Sequence, residues 1–202
     1  MTERPTLYLD IDGVINAIPD EPAPTGYSMH LIDGYVIHFH DEIVAMVARL
    51  AECYDIVWFT LWNQRAAPLI GPHVGLQNAP HLHTSWQLGM QTMVTQGHSE
   101  AAIDFVLYAK TPLLKDGVAL DARWIWIDDS HGRGDHNYLT REGFDPANFR
   151  LLRTDRRVGL TWPDVERAVA WIPELGSVTE GMDLGTVGYE RPGTTAGRSE
   201  PV

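Results

Sequence analysis

The sequence predicts an α/β fold, a Rossmann-like three-layer sandwich with a mostly parallel central sheet. Two observations support this prediction. Several short runs of β-branched, aromatic and other apolar residues do not alternate with polar residues, which is typical of parallel strands covered on both faces. Segments with apolar residues at helical spacing lie between some of these runs. The 202 residues suffice for one ordinary domain.

The chain begins with a predicted strand and a predicted hairpin. Thr6–Ile11 has the pattern of a buried strand and is followed by Asp12-Gly13, which favours a turn. Two further β-prone runs, Tyr27–Ile32 and Tyr35–His40, are joined by Asp33-Gly34. An Asp-Gly pair between two such runs indicates a tight antiparallel hairpin.

A helix, a strand and a broken helix are expected next. Asp41 is the expected N-cap of the first helix, whose apolar face consists of Ile43, Val44, Met46, Val47 and Leu50. Asp55–Thr60 follows as a second buried strand. Asn63 is the expected cap of the following helix, which Pro68 and Pro72 should shorten or kink.

The signals over residues 80–110 are weaker. His83–Trp86 has the composition of a short strand, and Ala101–Ala109 fits either a strand or a helix. Beyond this segment, Trp124–Ile127 and Phe149–Arg153 are two clear strand patterns.

The last predicted helix begins with a capping box formed by Thr161 and Asp164. Its buried stripe consists of Val165, Ala168, Val169 and Ile172. Beyond Gly176 small and polar residues predominate, which is typical of disorder. We therefore expect one domain over residues 1–176 and a disordered tail over residues 177–202.

Charge and cysteine content limit the partners and the compartment. The 27 acidic and 15 basic residues give a formal net charge of −12, which argues against bulk binding of nucleic acid. A local arginine cluster is nevertheless present: Arg150, Arg153, Arg156 and Arg157. A single cysteine, Cys53, fits a reducing cytoplasm. We find neither a signal peptide nor an apolar run that would span a membrane, so we expect a cytoplasmic protein.

Pairs of acidic residues follow two of the predicted strands. Asp10 and Asp12 stand at the end of the first, and Asp128-Asp129 directly follows Trp124–Ile127. Ligands of parallel α/β sheets bind outside the carboxyl ends of the strands. Adjacent carboxylates in such a place repel one another unless a cation shares the site. An oxygen-only donor set suits Mg²⁺, which also bridges to phosphate.

Two other residue types at this edge suit a phosphate group. Thr60 ends the second strand, where its hydroxyl and the following backbone N–H groups, that of Leu61 included, are placed to hold a phosphate oxygen. Lys110 would offset the charge of carboxylates and phosphate, although Lys115 is an alternative for the same role.

These motifs, in this order, resemble those of the haloacid dehalogenase (HAD) superfamily over about residues 5–175. Asp10-Ile11-Asp12-Gly13-Val14 is similar to its first motif, Thr60 to its second, Lys110 to its third and Asp128-Asp129 to its fourth. The hairpin at about residues 27–40, here called the flap, lies where this family places a flap over its active site, and we expect no large cap domain. Further details resemble phage and actinobacterial HAD domains associated with RNA-repair proteins: Thr60-Leu61-Trp62, Gly75-Leu76 and Gly159-Leu160-Thr161.

The resemblance implies a Mg²⁺-dependent phosphatase. Asp10 would be the nucleophile that forms an aspartyl-phosphate, and Asp12 the general acid and base. Thr60, Leu61 and Lys110 would hold the phosphoryl group. The metal would be held by Asp10, the backbone carbonyl of Asp12 and Asp129, with Asp128 nearby.

The substrate would be a small phosphorylated molecule, such as a nucleotide or the 3′-phosphate of an oligonucleotide. His38, His40 and Trp62 are candidates for contact with it, Trp62 by stacking on a base. Three other functions remain as alternatives: a non-catalytic HAD-like module that binds a phosphorylated ligand, a nucleic-acid repair component, and a phosphomutase, which uses the same chemistry. The sequence leaves the oligomeric state open.

Overall fold

The computed structural model describes residues 4–20, 25–85 and 110–172. The strands are β1 (Thr6–Leu9), β2 (Tyr27–Ile32), β3 (Tyr35–His40), β4 (Asp55–Trp58), β5 (Trp124–Asp128) and β6 (Phe149–Arg153). The α-helices are α1 (Ile43–Cys53), α2 (Gly71–Val74), α3 (Thr111–Gly117), α4 (Arg133–Arg141) and α5 (Trp162–Ala170).

Four strands form a parallel sheet in the order β4-β1-β5-β6. Successive side chains of the central strands point to opposite faces, as the pleat requires. Leu7 and Leu9 join one buried cluster and Tyr8 joins the other. The same division separates the isoleucines of β5 from its tryptophans, Trp124 and Trp126.

Helices cover both faces of this sheet. Apolar residues of α1, α2 and α5 belong to the first cluster, and those of α3 and α4 belong to the second. The result is three layers, helices on a sheet on helices. The predicted α/β fold with a mostly parallel central sheet is confirmed.

The flap is an antiparallel hairpin of β2 and β3, with the bounds that the sequence predicts. Asp33 and Gly34 both have positive φ, 52° and 84°, as a tight hairpin turn requires. Ile37 and Phe39 anchor the inner face of the flap in the first cluster. A bridge between Ala17 and His38 ties β3 to the loop after β1, so the flap lies at the carboxyl end of the sheet.

The two predicted helix caps in the first half are wrong. Helix α1 begins after Glu42 rather than Asp41, and no side chain caps it. The Glu42 N–H is bound instead by the His40 imidazole, at 3.1 Å to Nδ1. Asn63 has a φ of 50° and is the first residue of a 3₁₀ turn. Its amide side chain is held by the Thr84 backbone, donating to the carbonyl at 2.8 Å and accepting from the N–H at 2.7 Å.

The prolines break the helix after β4, as predicted. A 3₁₀ turn (Asn63–Arg65) and a π-helical turn (Ala66–Ile70) precede the four-residue α2. Pro68 lies in the π-helical turn, and Pro72 in the first turn of α2, where its missing N–H costs nothing.

The weak pattern near residue 83 is not a strand. His81 forms an isolated bridge with Trp58, and residues 82–85 have no regular structure. Trp86, Ala101–Ala109 and the predicted tail over residues 177–202 lie outside the described residues. Strands β1 and β4 end earlier than predicted, at Leu9 and Trp58, and the residues that follow them stay buried: Asp10, Ile11, Phe59 and Thr60. Within the described ranges, no helix has the length and apolar character needed to cross a bilayer.

Candidate active site

The predicted carboxylates meet at the carboxyl edge of the sheet. Leu9 is in register with both Trp58 and Ile127, so the chain leaves β1, β4 and β5 at the same level. Asp10 follows β1 directly, and Asp128 is the last residue of β5. One oxygen of each of Asp10, Asp128 and Asp129 lies within 4.8 Å of the others.

Lys110 lies between two of these carboxylates. Its Nζ is 2.8 Å from an oxygen of Asp10 and 2.8 Å from an oxygen of Asp128. It also donates to the Phe59 carbonyl at 3.1 Å. All three charged side chains are buried, with exposed fractions of 4%, 6% and 0% for Lys110, Asp10 and Asp128. Charges so far from water are tolerated only when they are paired.

Burial changes the ionisation of these acids. In the metal-free protein, loss of solvent raises the pKa of Asp10 from its ordinary 3.8 to about 7, although the Lys110 ammonium opposes this rise. Burial also raises the pKa of Asp128, again against Lys110. A further positive charge at this point would favour the ionised form of both groups.

Asp128 and Asp129 are held differently. One Asp128 oxygen accepts from Lys110, and the other accepts from the Ser130 backbone N–H at 2.9 Å. Asp129 accepts from the Ser130 hydroxyl at 2.5 Å and is partly exposed. Asp128 is thus fully buried and hydrogen-bonded at both oxygens, whereas the Asp129 carboxylate is partly exposed and has Arg156 3.9 Å from one of its oxygens.

The residues present fit a hard divalent cation. The donors are carboxylate oxygens alone, and two of the three acids are buried. Two cations, Lys110 and the more distant Arg156 at 3.9 Å from Asp129, face three carboxylates and offset only part of their negative charge. Oxygen donors of this kind suit Mg²⁺. The site could thus hold such an ion through Asp10 and Asp129, with Asp128 supporting them.

A glycine allows the two acidic segments to approach. Gly13 has a φ of 82°, and a Cβ atom there would lie 2.6 Å from the Asp129 carboxylate. The Thr154 hydroxyl donates to the Gly13 carbonyl at 2.7 Å, which joins this turn to the loop after β6. The Asp12-Gly13 turn predicted from sequence is therefore also the contact between the first and fourth motifs.

The Asp12 side chain lies outside the carboxylate cluster. One of its oxygens accepts from the Trp62 indole N–H at 2.9 Å, and the other accepts from the Asn16 amide at 2.8 Å. The resemblance implies that Asp12 is the general acid and base and that its backbone carbonyl is a metal ligand. Both roles stay predictions. Trp62, a candidate for base stacking, is only 8% exposed and its indole N–H is bonded to Asp12.

The remaining predicted residues are Thr60 and Leu61, which follow β4, and Lys115, which lies in α3. Thr60 is buried just beyond β4, where its hydroxyl oxygen lies 3.4 Å from the Trp62 backbone N–H. The Leu61 side chain is exposed, so only its backbone can serve the predicted phosphate contact. Lys115 forms an ion pair with Glu142 at 3.2 Å, so of the two predicted lysines Lys110 is the one that contacts the carboxylate cluster.

Sequence reasoning missed Asn16 and Thr154. Both are buried polar residues, and each has a backbone partner far away in the sequence: Asn16 accepts from the His38 N–H, and Thr154 donates to the Gly13 carbonyl. No short motif marks them. The one available signal was their position next to segments that end at the carboxyl edge of the sheet.

A parallel α/β sheet with a buried lysine between two strand-end aspartates defines a class of protein with HAD-like architecture. The family model for the HAD domain in Swiss Army Knife RNA repair proteins matches residues 6–165. The chain belongs to this family. The resemblance identified from the motifs is thereby confirmed.

Other comparisons add little. A solved structure described as a HAD family hydrolase from Streptomyces avermitilis MA-4680 aligns over 83% of this chain and 89% of that chain. The two share 13% sequence identity, with a TM-score of 0.36. No curated protein matches the chain significantly.

Proposed function

We propose that the protein is a Mg²⁺-dependent phosphatase that hydrolyses a phosphate monoester through an aspartyl-phosphate on Asp10. One observation carries the proposal: Lys110 lies 2.8 Å from both Asp10 and Asp128, beside a third carboxylate at the same edge of the sheet. A binding module has no need of so many buried acids at one point, whereas phosphoryl transfer depends on positioning and charge neutralisation.

The reaction divides into two displacements. An Asp10 oxygen attacks phosphorus, the new O–P bond forms, and the ester P–O bond breaks. The leaving alkoxide takes a proton from Asp12, which then removes a proton from the attacking water. That water displaces Asp10 from phosphorus, and inorganic phosphate leaves.

Each remaining residue has a role in holding charge. Lys110 and the Thr60–Leu61 backbone would hold the phosphoryl oxygens, and Asp128 would orient Lys110. Asp10, Asp129 and the Asp12 carbonyl would hold Mg²⁺. When bound, the cation would keep Asp10 ionised and offset the charge of the phosphoryl group.

We propose a nucleotide or a nucleic-acid 3′-phosphate as the substrate and the cytoplasm as the compartment. The family's description as a domain of RNA repair proteins supports the first. So do arginines beside the site: Arg153 donates to the Asp129 carbonyl at 2.8 Å, and Arg156 lies 3.9 Å from its carboxylate. Arginine is well suited to recognition of phosphate. The single cysteine, Cys53, supports a reducing compartment.

A phosphatase screen tests the proposal. Nucleotides, 3′- and 5′-phosphorylated oligonucleotides and sugar phosphates would be offered to the chain with Mg²⁺ or with a chelator. We expect phosphate release only with Mg²⁺, and none from Asp10→Asn. The matched control is Asp116→Asn, which makes the same change at an exposed carboxylate of α3. Binding of substrate without turnover by the wild type would instead support the non-catalytic module.

A further inference from the structure

We propose that Trp62 and Asn16 are positioning residues that hold the Asp12 carboxylate for proton transfer, with Asn16 linking it to the flap. The inference rests on the proposed function, because it concerns the acid–base of that reaction. It assigns roles to two residues that neither the motifs nor the family description specify.

The geometry of Asp12 is set by one donor on each oxygen. The Trp62 Nε1–H donates to Oδ2 at 2.9 Å and the Asn16 amide donates to Oδ1 at 2.8 Å. Two donors on opposite oxygens fix both the position of the carboxylate and the rotation of its plane. A carboxylate offers about four lone-pair sites, so each oxygen keeps a second site for a transferred proton.

The two donors are themselves fixed. Trp62 is 8% exposed and packs edge-on against Tyr35 of the flap, with 5.4 Å between ring centroids. Asn16 is 5% exposed, and its carbonyl oxygen accepts from the His38 backbone N–H at 2.9 Å. Both therefore connect Asp12 to the flap, Trp62 through ring packing and Asn16 through a hydrogen bond at each end of its amide.

This arrangement matters most when the leaving group needs a proton. An alkoxide leaves poorly unless a general acid protonates it, and positioned general acids contribute about 10²–10⁴-fold. A p-nitrophenolate leaves without that help. The ratio kcat/KM depends only on steps up to the first displacement, in which Asp12 acts as the acid. Loss of a positioning contact should consequently reduce kcat/KM for an alkyl phosphate far more than kcat/KM for p-nitrophenyl phosphate.

The variant Trp62→Phe removes the indole N–H and keeps an aromatic ring. We expect its kcat/KM for a 3′-phosphorylated oligonucleotide to fall by about tenfold or more, and its kcat/KM for p-nitrophenyl phosphate by less than about threefold. Asn16→Ala should show the same pattern. Trp58→Phe makes the same change in the core, where the indole N–H donates to the Leu76 carbonyl at 3.4 Å, and should affect both substrates equally. An equal effect of Trp62→Phe on kcat/KM for both substrates would overturn the proposal.

A measurement without turnover separates this inference from the proposed function. The indole N–H resonances of the seven tryptophans can be followed by ¹⁵N NMR, with Trp62→Phe identifying the relevant peak. We expect Asp12→Asn to move the Trp62 peak and leave that of Trp58 in place. An unmoved Trp62 peak would refute the contact even if the wild type is an active phosphatase. A wild type that hydrolyses neither substrate would contradict the proposed function, while a moved peak would still support the contact.

Discussion

At the scale of single residues, the site depends on a balance between buried charges of opposite sign. Lys110 is the cation common to Asp10 and Asp128, and all three are removed from water. Taking one partner from such a group leaves the others uncompensated. Partly exposed pairs such as Lys115–Glu142 are subject to a smaller penalty, because water screens them.

Replacement of Lys110 should therefore be far more costly than replacement of Lys115. We expect Lys110→Met to lower the free energy of unfolding by about 3–5 kcal/mol. The control Lys115→Met should lower it by less than about 1 kcal/mol. Urea denaturation of both variants at pH 8 measures the difference. Similar losses of unfolding free energy in the two variants would mean that Lys110 does not neutralise Asp10 and Asp128 in the folded protein.

The raised pKa of Asp10 predicts a pH dependence of stability in the metal-free protein. Folding favours the protonated acid, so this contribution is fully present below the ordinary pKa of 3.8 and is lost as the pH rises through about 7. Asp10→Asn removes it. We expect the variant to gain about 2–4 kcal/mol of stability relative to wild type between pH 4 and pH 8.

Denaturation of both proteins in chelator, at pH values across this range, measures that gain. Asp116→Asn serves as the control, because its carboxylate is exposed. A constant difference between Asp10→Asn and wild type would show that Asp10 keeps an ordinary pKa in the folded protein.

At the scale of elements, the site is assembled from the turns that follow the strands. The turn after β1 approaches Asp129 so closely that only a glycine fits at position 13. Gly34, in the flap turn, has nearly the same φ, 84° against 82°, and open space around its Cβ position. Substitutions at these two glycines distinguish the effect of backbone strain, which both positions share, from the effect of a steric clash with Asp129, which only position 13 has.

We expect Gly13→Ala to weaken Mg²⁺ binding by at least about tenfold, because the new methyl group displaces the Asp129 carboxylate. Gly34→Ala should carry a similar strain of about 1 kcal/mol in stability and leave Mg²⁺ affinity unchanged. Calorimetric titration with Mg²⁺ and thermal unfolding measure the two effects. Equal Mg²⁺ affinity in both variants would place the cation away from Asp129.

Sequence patterns predicted the elements whose signals are local. The flap has the predicted bounds because an Asp-Gly pair sets its turn, and α5 begins at the predicted capping box. Helix α4 was missed because few of its residues are apolar, and it begins after a glycine. It is stabilised by Asp135, whose carboxylate accepts from the Gly132 N–H at 2.7 Å and from the Thr111 hydroxyl at 2.5 Å.

The features of the candidate site likewise divide into those that local sequence patterns predict and those that they do not. Its acids were predictable because each lies at or just beyond the end of a strand, and parallel strands bring such residues to one edge. Two contacts that hold the first motif were not predictable, because they join residues far apart along the chain. The Trp62–Asp12 bond spans 50 positions and the Thr154–Gly13 bond spans 141.

At the scale of the whole molecule, the sheet and its two helix layers hold four separate segments at one point. The turn after β1, the segment after β4, the start of α3 and the end of β5 each supply one part of the site. The proposed reaction requires all four together, with Asp10 alone bonded to phosphorus.

A burst experiment with Asp12→Asn tests that requirement most directly. With p-nitrophenyl phosphate the first displacement needs no acid, but the second lacks its base, so the aspartyl-phosphate should accumulate. We predict a rapid release of about one p-nitrophenolate per chain in Mg²⁺, and phosphate on Asp10 in peptides mapped by mass spectrometry after acid quenching. Turnover without a burst, and with Asp10 unmodified, would contradict a covalent reaction at this residue.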